Sequence, residues 1–231
     1  MTLLNISPFA ISRWGAFFNY FDLFFKGFLY TLGISFGALL LALILGILSG
    51  GLSTSKSKVG KLISRIYVEV FQNTPLLVQM VFVYYGLAII SNGHVMISAF
   101  FTAVLCVGLY HGAYISEVIR SGIEAVPKGQ TEAALAQGFT ANQTMQLIIL
   151  PQAVRTILPP MTNQVVNLIK NTSTVAIISG ADIMFVAKAW AYDTTNYIPA
   201  FAGAAIFYFV ICFPLASWAR KQEELNKKTY S

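Results

Sequence analysis

Residues 122–151 read GIEAVPKGQTEAALAQGFTANQTMQLIILP. The stretch is amphipathic, rich in small residues, and lies between segments apolar enough to cross a bilayer. Local rules turn it into two short helices joined at a corner. Pro127 opens the first, because its missing N–H would be unpaired in a first turn anyway. Glu132-Ala133-Ala134-Leu135-Ala136 propagates that helix, and Gly138 is placed to end it in a left-handed cap. Thr140-x-x-Gln143 reads as a capping box for the second helix, which Pro151 is expected to stop. The product is a stiff corner carrying a face of alanines, open to close approach by a partner groove.

Outward from this loop, the composition is that of a membrane protein. The 231-residue chain is 56% hydrophobic and only 10% charged, with a mean hydropathy of +0.67. Crossing the hydrocarbon takes roughly 20 mostly apolar residues. Segments near Phe24 to Leu48, Ile63 to Ile90, Val95 to Ile115, Met161 to Ser179 and Pro199 to Trp218 qualify to different degrees. The second is interrupted by EVFQNTP, and the fourth starts after Pro159-Pro160 and carries polar residues. The expected fold class is therefore an all-α membrane protein of about five transmembrane helices. No cleavable signal pattern is expected ahead of the first span, since no charged lead or small-residue cleavage site precedes it.

Lys and Arg total 15 against 9 Asp plus Glu, for a formal charge of +6. Nucleic-acid binding would need a clustered basic face; here the charges flank apolar runs, so no nucleic-acid partner is expected. Counted as a topology signal, Lys56, Lys58, Lys61, Arg65, Arg120, Lys128, Arg155, Arg220, Lys221, Lys227 and Lys228 fall on one side. Arg13, Lys26 and Lys188 fall on the other, with Lys170 inside the fourth span. The positive-inside rule then puts the N-terminus outside, the C-terminus in the cytoplasm, and the 122–151 loop on the cytoplasmic face. Trp14, Phe17, Phe18 and Phe21 recur at helical spacing before the first span, which fits an interfacial helix that meets membrane lipid.

Gly33/Gly37, Gly46/Gly50 and Gly108/Gly112 are pairs that let helix backbones approach closely in lipid. Cys106 and Cys212 sit within separate apolar segments and read as small buried hydrophobes. No catalytic residues are expected. His94 and His111 lack the partners of a metal site, so no metal is expected either, and no G-x-x-x-x-G-K-[ST] phosphate loop occurs.

Polar groups inside a membrane are costly and should face a bundle interior or a water-filled cavity. Asn163, Asn167, Lys170, Asn171 and Thr174 fall at i, i+4, i+7, i+8 and i+11, one helical face, with Gln164 on its flank. Such a stripe either lines a pathway or glues helices together beside a snorkelling lysine. Gln72, Asn73 and Thr74 precede Pro75, whose ring frees a carbonyl one turn back. They either contact a substrate or form a gate or hinge. A zwitterionic solute would need a donor for its anionic group, which Lys170 can supply, and an acceptor for its cationic group, which Gln164, Asn73 or the freed carbonyl can supply. Glu69 pairs with Arg65 at i, i+4.

Glu132-Ala133-Ala134, three residues, Gly138, nine residues and Ile148-x-Leu150-Pro151 resemble the EAA motif of importer permeases in the ATP-binding cassette (ABC) superfamily. The flanks agree: Glu117-x-x-Arg120-x-Gly122-Ile123, Gly129-Gln130 and Pro159-Pro160. Asn73-Thr74-Pro75-Leu76-Leu77-Val78-Gln79, Asn163-Gln164 and Leu168-Ile169-Lys170-Asn171-Thr172-Ser173 resemble the branch of that family that takes up polar amino acids. The resemblance runs over about residues 20 to 222. It implies a type I importer permease fold: an external interfacial segment over 1–22, a transmembrane domain over 23–219 with a cytoplasmic coupling loop at 122–156, and a cytoplasmic tail over 220–231. It implies that Gly129, Gln130, Glu132, Ala133, Ala134, Leu135, Gly138, Leu150 and Pro151 couple to a separate ABC ATPase. That ATPase would bind ATP and Mg, leaving this chain no cofactor and no enzyme activity of its own. Further implied partners are a second permease subunit, an extracellular or periplasmic amino acid-binding protein, and an amino acid substrate. The implied location is the bacterial plasma (inner) membrane.

The chain departs from that branch at two points. Acidic residues are common there at the positions of Asn171 and Gln164, so the resemblance implies a neutral or acidic cargo rather than a cationic one. The rival class is an autonomous secondary transporter, which often carries internal inverted repeats; none is visible among the five spans.

Overall fold

Long apolar runs without internal breakers become long helices. In the computed structural model these are α2 (Phe21–Thr54), α5 (Ala99–Glu124) and α9 (Tyr197–Thr229), preceded by a short amphipathic α1 (Ile11–Asn19). The structure describes Ser7 and residues 10–229, without the side chains of residue 223 and residues 225–229. The remainder of the expected 1–22 segment, the end of the 220–231 tail and the side chains of Lys227 and Lys228 lie outside the described residues. α2, α5 and residues Tyr197–Gln222 of α9 are each long and apolar enough to cross a membrane. Two bent pairs raise the candidate spans to five: α3 (Lys58–Gln72) with α4 (Leu76–Ile90), bent by 95°, and α7 (Ala141–Ile178) with α8 (Ile183–Thr194), bent by 46°. Between α5 and α7 lies α6 (Lys128–Ala136). Among the described residues no strand occurs.

The first break has a local cause. Pro75 has no N–H and disfavours a helical conformation at Thr74. Asn73 and Thr74 then turn back on the last turn of α3: Asn73 Nδ2 donates to Glu69 O at 2.8 Å, and Thr74 Oγ1 to Val70 O at 2.9 Å. The start is equally local, with Ser57 Oγ accepting from Gly60 N at 3.1 Å.

α7 differs from the sequence reading. Neither Pro151 nor Pro159-Pro160 stops the helix; it runs on through all three. A π-helical turn over Thr144–Ile149 precedes Pro151, and its wider ring relieves the proline's clash with the carbonyl one turn back. Gln152 Nε2 also donates to Ile148 O at 2.8 Å, adding a side-chain bond beside the carbonyl that the proline leaves without its donor. The span thus begins some twenty residues before Met161. At its far end, Thr172, Ser173 and Thr174 each donate to the carbonyl three residues back, at 2.7, 2.8 and 2.7 Å. Three such bonds in succession tighten the chain into the 3₁₀ segment Thr172–Ile178.

The second difference is α8. Lys188, counted outside the five apolar segments, lies on a twelve-residue helix that pairs with α7 as a candidate bent span. Asp182, fully buried, caps that helix by accepting from Met184 N and Phe185 N, both at 3.1 Å.

The chain divides into two compact units. One holds the chain up to Ala38, Leu76–Val107 and Leu168–Pro214. Its core joins Phe17, Phe24, Ile183, Val186, Ala187, Trp190, Ala191, Ala200 and Ala204. Phe17 lies 4.8 Å from Phe24 between ring centroids, and Phe24 lies 5.6 Å from Trp190. The α1 aromatic stripe is therefore split: Phe17 turns into this core, while Phe18 stays exposed. Arg13 fastens α1 to the turn after α8, donating to Thr195 O at 2.8 Å and Asn196 Oδ1 at 2.9 Å.

The other unit holds Leu39–Pro75, Gly108–Asn167 and the chain from Leu215. The glycine pairs act here as the sequence suggests. A Cβ on Gly46 would stand 2.3 Å from Ile115 Cγ2 and 3.1 Å from Gly112 O, and one on Gly112 would stand 2.5 Å from Tyr67 Oη. Close approach brings the Ser49, Ser64 and Ser116 hydroxyls together at 2.8 Å separations, a buried bond network across α2, α3 and α5. Gly33 and Gly37 meet Phe100 and Val104 in the same manner within the first unit. Gly51 has nothing within 4 Å of its would-be Cβ. Gly46→Ala should thus cost about 1–3 kcal/mol by forcing α2 from α5, while Gly51→Ala should be neutral or stabilising by roughly 0.5–1 kcal/mol. Thermal unfolding in detergent reads the contrast; equal midpoints for the two variants would refute the packing argument.

Candidate functional site

The corner after α5 is built almost entirely from short-range bonds. Pro127 takes the N-cap position of α6, with φ −56° and ψ 133°. At the other end Phe139 N donates to Ala134 O at 3.1 Å and Gly138 N to Leu135 O at 3.0 Å. These two bonds, with Gly138 at φ +87°, form a Schellman cap. The next helix starts at once: Thr140 Oγ1 accepts from Gln143 N at 3.3 Å, and Gln143 Oε1 accepts from Thr140 N at 2.9 Å. Gln152 Nε2 lies 3.4 Å from Gln130 Oε1, a weak tie between α6 and α7.

Gly129, Gln130, Glu132, Ala133, Leu135, Gly138 and Pro151 are exposed, Leu150 is half-buried, and Ala134 is buried. The alanines therefore do not form one outward face. Ala134 packs inward and anchors α6, while Ala133 and Ala136 face outward with Glu132. Leu135, 48% exposed, is a large apolar side chain standing free on this surface. Chemically the corner can do one thing well: present a small, stiff, mixed apolar and acidic surface to another chain.

The polar residues of the spans separate into several settings. Gln72 and Gln164 line one cavity of about 430 Å³, together with Tyr114, Glu117, Ser121 and Thr156. Gln72 Nε2 donates to Ala113 O at 3.2 Å, and Gln164 Oε1 stands 3.4 Å from Nδ1 of the buried His111. Glu117 is held by Arg120, which also grips Glu124. Asn73 is exposed and Thr74 half-buried, and both cap α3, as described above. Asn163 and Asn167 are exposed on α7, Lys170 is exposed, and Asn171 is half-buried. Lys170 lines a different cavity, of about 290 Å³, with Ser173, Met184, Phe201 and Tyr208. Arg65 and Glu69 pair at 2.7 Å.

Sequence reasoning missed part of the first cavity. Tyr114, Glu117 and Ser121 recur at i, i+3 and i+7 on α5, a second polar stripe within a span. That spacing was the available signal, and its residues lie around the same void as Gln164.

The family described as the binding-protein-dependent transport system inner membrane component matches residues 42–224. The chain belongs to this family. Similar permeases include the probable glutamine ABC transporter permease protein GlnM of Bacillus subtilis (strain 168), 34% identical over 92% of this chain and 97% of that one. A putative glutamine transport system permease protein GlnP of Rickettsia felis is 36% identical over 80% and 85%. The probable amino-acid ABC transporter permease protein PatM of Vibrio harveyi is 36% identical over 85% and 89%. Among solved structures, a chain from the crystal structure of an amino acid ABC transporter with histidines superposes with a TM-score of 0.84 at 32% identity, over 90% of this chain and 96% of that one. A chain of the inward-facing MetNI methionine ABC transporter reaches 0.69 at 16% identity, over 88% and 98%, and shares the fold. The molecule is a multi-pass membrane permease with the helical fold of ABC importer permeases, in a family that serves as the membrane component of binding-protein-dependent transport.

Proposed function

We propose that this permease is half of a dimeric pore for amino acid uptake, driven by a separate ATPase that grips the α6 corner. The observation that carries the reading is the corner itself: a doubly capped helix pair, stiffened by its own bonds, whose outward residues Glu132, Ala133 and Leu135 are exposed. A stiff corner transmits a rigid-body displacement to the spans that flank it, whereas a floppy loop would absorb it. Gly129, Gln130, Gly138, Leu150 and Pro151 shape or flank that surface. ATP and Mg belong to the ATPase, and ATP hydrolysis is not assigned to this chain. The membrane is the bacterial inner membrane, with the C-terminus and the corner in the cytoplasm. A binding protein delivers cargo from the other side.

Exposed Asn163, Asn167 and Lys170 on a membrane helix are costly against lipid. In this reading they and Asn171 face water or a second permease subunit, and Gln72 and Gln164 meet cargo at the 430 Å³ cavity. Asn73 and Thr74 serve the break beside it as a hinge. Relatives named for glutamine support a neutral cargo. Gln164→Glu adds an anion to the cavity wall, so arginine should become a competitor of uptake; unchanged selectivity would remove Gln164 from the cargo's path.

Proteoliposomes carrying the copurified complex test the whole reading. Uptake that requires internal ATP and persists with all ion gradients collapsed supports it. Uptake by this chain alone, driven by a gradient without ATP, would establish a secondary transporter instead.

A further inference from the structure

Beside the α6 corner lies a cavity of about 510 Å³ with no role in the reading above. It is walled by the end of α2, the first turns of α3, the end of α5, the start of α6 and the π turn of α7. Lys61 and Lys128 both line it, and among the described residues neither has an ion pair. Ser53, Thr54 and Thr131 add hydroxyls, of which Ser53 and Thr54 already donate to Gly50 O and keep lone pairs to accept with. The acid on the wall, Glu124, is taken up by Arg120. The remaining wall is apolar: Ile123, Val126, Met145 and Ile149.

Two ammonium groups, set against one carboxylate that shares Arg120 with Glu117, leave the wall net positive and favour an anion. A polar wall backed by an apolar one favours an anion that carries an acyl chain. Lys61 follows the α2 span and Lys128 follows the α5 span, the juxtamembrane positions from which lysines reach lipid phosphates. We propose that this cavity binds the phosphate of an anionic phospholipid, with its head group between Lys61 and Lys128 and its chain along Ile123, Val126, Met145 and Ile149. The site lies against the base of the α6 corner, so its occupancy sets how firmly that corner is seated. Lipid binding itself requires neither an ATPase nor a cargo.

The test uses the full-length chain, purified in detergent and titrated with phosphatidylglycerol and with phosphatidylcholine, with retained lipid counted by native mass spectrometry. Phosphatidylglycerol should be retained in preference to phosphatidylcholine. The Lys61→Gln/Lys128→Gln double variant should weaken that retention about 30-fold, since each lysine near an anionic head group contributes roughly a fivefold factor. The Lys61→Arg/Lys128→Arg pair should retain the lipid, and Lys56→Gln, off the cavity wall, should not change it. Both target lysines are exposed, so the fold tolerates these changes. Inorganic phosphate that displaced the lipid at millimolar concentration would keep the phosphate site but make its occupant a soluble anion. Equal retention by the double glutamine variant, or an equal loss with Lys56→Gln, would overturn the proposal.

Discussion

Glu132→Lys should cut ATP-driven uptake by about 100-fold or more while leaving the thermal unfolding of this chain where it was. Glu132 is exposed on α6 and, among the described residues, makes no ion pair, so reversing its charge disturbs nothing within the chain. On a surface gripped by a partner the same change is severe, because a charge set against its own sign in an interface costs several kcal/mol, on the order of a 100-fold loss of complex. Gly138→Val reaches the same end by another route. Gly138 sits at φ +87°, where a β-branched residue is strained by roughly 1–2 kcal/mol or more. Its would-be Cβ meets nothing within 4 Å, so the penalty falls on the backbone of the cap rather than on the spans. The corner then loses its Schellman bonds while the bundle remains. Copurification of an ATPase subunit with a tagged chain reads both variants, alongside uptake. Full uptake and full copurification in both would remove the corner from the coupling role.

The corner was legible because its determinants are local. Pro127, Gly138 and the Thr140–Gln143 box each act within four residues, and all of them landed as local rules require. Three spans were legible because hydrocarbon thickness sets a length that an apolar run either meets or misses; the other two meet it only as bent pairs. What stayed hidden depends on partners distant in sequence. Pro151 and Pro159-Pro160 read as helix ends, yet a π turn lets the helix pass the first of them. Twelve residues of α8 are too short to register as a span, and its start depends on Thr31 as well as Asp182. In the cavity, Gln164 stood out as an amide in an apolar run, but its neighbours Gln72, His111 and Glu117 come from other helices and could not be joined to it by spacing. Asn73 and Thr74 stood out equally, and the structure spends their side chains on Glu69 and Val70 carbonyls. A polar residue in a span is therefore a sound flag for an unusual place, and only three dimensions tell a cavity wall from a helix cap.

Asp182→Ala should lower the stability of the folded chain by about 2–5 kcal/mol, without the Glu132 pattern of intact fold and lost coupling. Asp182 is wholly buried and does three jobs. It accepts from Met184 N and Phe185 N at 3.1 Å, and Tyr208 Oη lies 3.5 Å from its Oδ2. Thr31 completes the helix start, accepting from Ile183 N at 3.1 Å while donating to Gly27 O at 3.0 Å. Losing a helix cap costs about 0.5–2 kcal/mol, and because Asp182 is wholly buried, its two N–H donors are left without a replacement acceptor, which adds about 1–3 kcal/mol. In a chain of this size the sum corresponds to a drop of about 4–20 °C in the midpoint of thermal unfolding in detergent. Asp182→Asn keeps one acceptor for the cap and should lose about half as much. A midpoint for Asn as low as that for Ala would show that the negative charge matters more than the cap. Thr31→Val should weaken the same helix start, and because both side chains serve one group of N–H donors, the double variant should lose less than the two single losses added. An unchanged midpoint for Asp182→Ala would mean that α8 is held by the Phe17–Phe24–Trp190 core alone.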